Sequence, residues 1–298
     1  MKRVFICILC LVLLCGCGIT PKKDASKIKV VTTIFPLYDF ARALGGDRAE
    51  VKMLIRPGTE VHSFDPLPSD MAAVYDCDLF LFIGGESDTW AKNLINDKKV
   101  NSLALINSVD TTHGHTHSHE HSHPDEHIWT SPEMAVKMLD SICESFVKSD
   151  PQNAEFYRKN CEQYIGKINT ADQKMKAVAD KHNNPFIVVA DRFPFAYFTH
   201  QYGIEYEAAF DGCAVSTDIS LKTMSRLTST IKQKNIKSVF CTEISNKNIA
   251  NALHNELGVE VIELHSAHNV TLDDFNEGVT YVDILYRNIK ALERGLSK

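Results

Sequence analysis

No proline occurs between Pro151 and Pro185, and the residues between them carry one continuous apolar stripe. Tyr164, Ile165, Ile168, Ala171, Met175 and Val178 recur at helical spacing. Ser149-Asp150-Pro151 supplies cap residues and a proline suited to a first helical turn. The pattern predicts one helix of ~45 Å over 151–182, at 1.5 Å per residue. Two helices broken at Gly166 are the alternative; the stripe stays in phase through that glycine, which favours one helix.

On both sides of this stretch, short β-branched or aromatic runs alternate with amphipathic ones. Before it, strands are expected at 28–34, 51–55, 78–83 and 103–106, with helices after Pro36 and over 68–75. After it, strands are expected at 186–190, 204–209, 236–241 and 259–264. Helices are expected at 193–201, 222–233, 246–257 and 272–292. Alternation of this kind implies parallel α/β layers. The expected fold is therefore two α/β lobes of parallel sheet flanked by helices, 28–150 and 183–298, joined by one long rigid helix. Ligands should bind between the lobes, at strand C-terminal ends.

The first residues form an address. Lys2 and Arg3 precede an apolar run, Val4 to Leu14, too short to span ~30 Å of hydrocarbon. It ends Leu14-Cys15-Gly16-Cys17, which resembles a bacterial lipobox. That resemblance implies a signal peptide over 1–16, a lipid on Cys17, and a polar tether over 17–27 leading to a domain on the outer face of the cell membrane. Cleavage removes Lys2 and Arg3, so the net charge falls by two, from −6 to −8. An acidic exported chain argues against nucleic-acid partners and favours cations. The remaining Cys77, Cys143, Cys161, Cys213 and Cys241 are odd in number, without CxxC spacing, and read as buried small side chains.

Thirteen histidines are unusual for this length. His113, His115, His117, His119, His121 and His123 alternate with Gly, Thr, Ser and Glu in a loop bounded at 111–126. H-E-x-x-H occurs within it, but the loop residues and Pro124 deny the helix a zinc protease needs. Such a tract is an auxiliary metal-gathering signal, weak and unselective because ordering it costs entropy. His127, His62, His265 and His268 differ: each stands at a loop beside a strand candidate or a loop–helix boundary, where a cleft would form. Binding through neutral imidazole should weaken below ~pH 6.

The order of these motifs resembles a known family. TTIFPLYDFARALGGDRAEV, PGTEVHSFDPLPSD, the His-rich loop, DEHIWTSPEMA and the long helix together look like the zinc/manganese solute-binding lipoproteins of bacterial ABC transporters, the zinc-uptake binding protein group. The resemblance implies a monomeric, non-enzymatic extracytoplasmic receptor that hands metal to an ABC transporter permease. His62 and His127 match the first two family ligands. The third family position falls on Arg192, in Ala190-Asp191-Arg192-Phe193-Pro194, and a guanidinium cannot coordinate a cation. Asp191 is a candidate substitute, or else a partner of Arg192. The fourth position matches His265, with His268 as competitor and Glu243 as a further oxygen candidate. Three imidazoles with at most one carboxylate favour Zn2+ over Mn2+. Two other readings stand beside this one: a zinc hydrolase using Glu243 or Asp191 as base, and a cell-adhesion protein or metal buffer using the His loop alone.

Overall fold

The computed structural model describes residues 27–61, 64–112, 125–210, 212 and 219–296. Its described residues form two four-stranded sheets in which every strand pair is parallel. The first contains β1 (Ile28–Thr32), β2 (Ala49–Met53), β3 (Leu79–Phe82) and β4 (Ser102–Ala104), in the order β2-β1-β3-β4. The second contains β5 (Phe186–Val189), β6 (Glu205–Ala208), β7 (Ser238–Cys241) and β8 (Glu260–Glu263), in the order β6-β5-β7-β8. The two orders correspond strand for strand.

Burial along the strands follows from their places in the sheet. Central β3 (LFLF) and β7 (SVFC) are buried at every residue, as strands covered on both faces must be. Edge β2 (AEVKM) alternates charged with apolar residues and leaves Glu50 and Lys52 to solvent.

The helices of the first lobe are α1 (Phe35–Gly45), α2 (Pro68–Asp76), α3 (Thr89–Asp97) and α4 (Pro132–Ser149). Helix α4, absent from the elements inferred from sequence, starts at a strong cap: Ser131 Oγ accepts from Met134 N at 3.2 Å, and Pro132 opens the first turn. Helix α5 (Ala154–Ala179) is the long one, unbroken over 26 residues and through Gly166. It packs on α1 and α4 of the first lobe. It also packs on the last helix of the second.

The second lobe carries α6 (Ala196–Tyr202), α7 (Leu221–Lys234), α8 (Asn248–Leu257), α9 (Leu272–Glu277) and α10 (Tyr281–Leu296). The single helix expected over 272–292 is two. Gly278, at φ +74°, ends α9 in the left-handed region, and Thr280 starts afresh by exchanging hydrogen bonds with Asp283. Phe193 and Pro194 lie outside α6: Phe193 pairs with Gly212 in an isolated antiparallel bridge.

One apolar core runs through both lobes. It joins Phe40, Leu44, Met138 and Ile142 of the first lobe to Ile168 and Met175 of α5, and on to Tyr281, Leu285 and Ile289 of α10. Polar groups are threaded into it. The Asp39 carboxylate of α1 accepts from the Tyr164 hydroxyl of α5, from Tyr281 N at 2.9 Å and from Arg42 Nη2 at 2.6 Å. The same Arg42 nitrogen reaches the Gly278 and Val279 carbonyls of the second lobe. Cys143 and Cys161, on α4 and α5, are buried free thiols, and Cys77 and Cys241 are free as well. Cys213, Cys17 and the His-rich loop lie outside the described residues.

Candidate metal-binding cleft

Parallel sheets present their ligand sites at the crevice where the strand order reverses, beyond the strand C-termini. In the second lobe that crevice lies between β5 and β7. The residues leaving both strands are tied together there: Asp191 Oδ2 accepts from Thr242 Oγ1 at 2.7 Å and Thr242 N at 3.2 Å. The crevice opens into a cavity of about 720 Å3 walled by both lobes. Glu60, Val61 and His127 enter it from the first lobe, and Asp191, Arg192 and His268 from the second.

His127 stands just before a 3-10 turn, Ile128–Thr130, and is 2% exposed. Its ring Nδ1 lies 2.7 Å from Asp125 Oδ1, which also accepts its own backbone N–H at 2.8 Å. A carboxylate beside Nδ1 assigns the proton to that nitrogen and leaves the lone pair on Nε2. Asp125 thus orients the His127 ring, and the pattern D-x-H is the signal that could have found it. The Tyr197 hydroxyl of the other lobe donates to the Asp125 carbonyl at 2.8 Å, fixing the loop from behind.

The structure brings His268 to His127. Their rings meet edge-to-face with centroids 5.2 Å apart, and Trp129 packs against both. Ala267 holds φ +60°, a conformation disfavoured for any residue with a Cβ, and it is this turn that seats His268 on the cleft wall. Glu243 secures the turn: its carboxylate accepts from Ser266 N at 2.8 Å and Ser266 Oγ at 2.7 Å. The His268 amide then donates to Ser266 Oγ, and its carbonyl accepts from Phe35 N of the first lobe.

His265 is placed differently from the expectation. It is buried behind the cleft wall and is not among the cavity-lining residues. Its Nδ1 accepts the Ala267 N–H at 2.9 Å, which assigns the ring proton to Nε2, so neither nitrogen presents a lone pair to a cation. Asn288 clamps its backbone on both sides. Of the two histidines that competed for the fourth position, the one on the cleft is His268.

Arg192 does face the cleft. Its Nη1 donates to Glu60 Oε2 at 2.9 Å, an ion pair that crosses from one lobe to the other. Its Nε is buried with no partner among the described residues. Asp191 is committed elsewhere, to Thr242 through one oxygen and to the Arg192 N–H through the other. Glu60 was not singled out by its sequence context; only the tertiary fold puts it opposite Arg192. Among the described residues no three His, Cys, Asp or Glu side chains gather closely enough to hold a metal. His62 lies outside those residues, one position beyond Val61 on the cleft wall.

Two parallel lobes on a shared core, with two imidazoles meeting on the wall of the cleft between them, define the class: a two-lobed solute-binding protein. The chain belongs to the zinc-uptake complex component A family, periplasmic (ZnuA), whose model matches residues 30–295. It is 28% identical to the high-affinity zinc uptake system protein ZnuA of Bacillus subtilis, over 98% of this chain and 97% of that one. It is 27% identical to the zinc-binding lipoprotein AdcA of Streptococcus pneumoniae over 99% of this chain, and spans 61% of AdcA's length. The Zn(II)-bound ZnuA-like domain of AdcA superposes with a TM-score of 0.77, covering 92% of this chain and 100% of that domain.

Proposed function

We propose that this protein is an extracytoplasmic receptor that captures Zn2+ in its interlobe cleft and delivers it to an ABC transporter permease, held at the membrane by a lipid on Cys17. The observation that carries the reading is the pair His127 and His268, ring against ring in a cleft between two lobes of a zinc-uptake family fold. His62, which the family resemblance makes a ligand, would complete a set of three imidazoles, the nitrogen-rich set that suits Zn2+ better than Mn2+. Asp125 supports this assignment, since metal-bound imidazoles characteristically donate their other N–H to a carboxylate.

The hydrolase alternative needs a carboxylate free to act as base. Glu243 and Asp191 are instead held by backbone and hydroxyl donors, which supports capture rather than catalysis. The His-rich tract, 113–123, gathers metal without forming the tight site. The test is zinc titration of protein lacking residues 113–123: one tight site persists, and His62→Ala or His127→Ala removes it. A deletion protein with only weak sites would leave the loop as the sole binder and overturn the cleft reading.

A further inference from the structure

Helices α4 and α5 form a hairpin, and a cysteine stands on each arm at the same distance from its turn. Cys143 lies nine positions before Gln152, the middle residue of the 3-10 turn Pro151–Asn153, and Cys161 lies nine positions after it. Residues equidistant from the turn of an antiparallel helix pair meet across the seam. The neighbouring layer shows that register: Phe146 and Tyr157 pack edge-to-face with ring centroids 5.1 Å apart. The turn itself is fixed, because Asp150 Oδ2 accepts from Tyr157 Oη at 2.6 Å and from Asn153 Nδ2 at 2.7 Å.

The two thiols therefore face one another. Cys161 Sγ lies 3.7 Å from the carbonyl of Leu139, one turn before Cys143 on α4, and the two thiols hydrogen-bond to each other. That bond holds the Cys143 thiol below its usual range and the Cys161 thiol above it. Both residues are buried. Among the described residues, no third His, Cys, Asp or Glu joins them closely enough to make a metal site. The family is periplasmic. Outside the cytoplasm disulfides form and persist, whereas the cytosol keeps thiols reduced.

We infer that Cys143 and Cys161 are a modification site: in the exported protein they close to a disulfide that staples α4 to α5. The oxidant is itself a disulfide, small or protein-borne. The Cys143 sulfur, as thiolate, attacks one sulfur of that disulfide, breaks its S–S bond and expels one thiol. Cys161 then gives up its proton and attacks Cys143 Sγ, expelling the second thiol. One S–S bond has formed and one has broken; the two electrons and the two cysteine protons leave with the reduced oxidant. Both thiols are buried once the helices have packed, so the exchange takes place while the hairpin forms. Helix α4 starts at Ser131, four positions after His127, and α5 packs on α10 of the second lobe. The staple thus ties the mount of a cleft imidazole to the frame both lobes share.

The experiment refolds the purified protein from denaturant either with oxidised glutathione or with a thiol reductant, followed by alkylation, peptide mapping by mass spectrometry and thermal melting. Oxidative refolding should give one cross-linked peptide pair, Cys143 to Cys161, lighter by two hydrogens than the two thiol peptides together. The bridge closes a loop of about 17 residues, so this form should melt roughly 5–10 °C above the reduced form. The Cys143→Ala/Cys161→Ala variant should melt at one temperature under both conditions. Parent protein whose Cys143 and Cys161 are both still alkylated after oxidative refolding overturns the inference, and so does pairing of either one with Cys77, Cys213 or Cys241. Equal melting temperatures of the bridged and reduced forms overturn the staple, as does an oxidant-dependent rise that persists in the double variant.

Discussion

Two clusters of buried polar groups bridge the lobes, and they are built on opposite plans. At the seam, Asp39 receives hydrogen bonds from Tyr164, from Tyr281 N and from Arg42, one donor set drawn from three helices. Burial pushes its carboxyl above the usual range, and those donors pull it back. In the cleft, Arg192 Nε is buried without a partner among the described residues, and the rings of His127 and His268 converge on an open cavity. A buried polar group left without a partner costs about 1–3 kcal/mol. The seam avoids that cost and makes rigidity; the cleft bears it and makes a binding site.

The contrast is sharpest at Asp39. Asp39→Ala leaves the buried Tyr164 hydroxyl and Tyr281 N–H without their acceptor while Arg42, a third exposed, turns to solvent, and should cost about 1–3 kcal/mol of stability for each stranded donor. Chemical denaturation measures it. Zinc affinity of the folded fraction should stay within a few-fold of the parent; a collapse of affinity at full folding would merge the two clusters into one functional unit.

Within the cleft, His268→Ala and His265→Ala should separate. Removing a ligand costs more than removing a supporting group, itself worth about 10–100-fold, so His268→Ala should lose at least a hundredfold in zinc affinity. His265→Ala should lower stability and leave affinity within a few-fold. Competition with a chromophoric chelator reads both. The reverse order would return the fourth position to His265.

A smaller effect concerns pH. Asp88 is buried behind the loop that carries Glu126 and accepts from Ile83 N at 2.7 Å and Gly84 N at 3.1 Å. Burial, with the nearby Glu126 charge assisting, pushes its carboxyl up to about 6. A carboxyl raised on folding binds its proton more tightly in the native state. Its contribution is full below about pH 4, the range of the unfolded group, and is lost as pH rises through about 6. Between pH 4 and 6.5 the melting temperature of the parent should fall by a few degrees relative to Asp88→Asn, whose side chain does not titrate. Parallel melting curves for the two proteins would remove Asp88 as the source.

The alternation of strands and helices around α5 was legible because it depends on local periodicity, and so was the continuity of α5 through Gly166. The split at Gly278 was missed because the apolar stripe continues across it, whereas the chain direction turns on one positive φ and a fresh cap at Thr280. His127 could be singled out from its neighbours in sequence. The choice between His265 and His268 could not, because it depends on the +60° turn at Ala267 and on Ser266 and Glu243, held together from two different strands' ends. Glu60 and Arg192 are 132 positions apart, beyond any local pattern.

The shared core has a consequence for rates. To part the lobes like the covers of a book, the protein would have to peel α1 and α4 from α5, or α10 from α5, and wet the apolar surface between them. Exposing even ~400 Å2 of it costs about 10 kcal/mol at ~25 cal/mol per Å2. A barrier of that size is a slowing of about ten-million-fold. Metal exchange that keeps pace with uptake must therefore leave the α1–α4–α5–α10 core closed, so the lobes act as a fixed frame while metal passes.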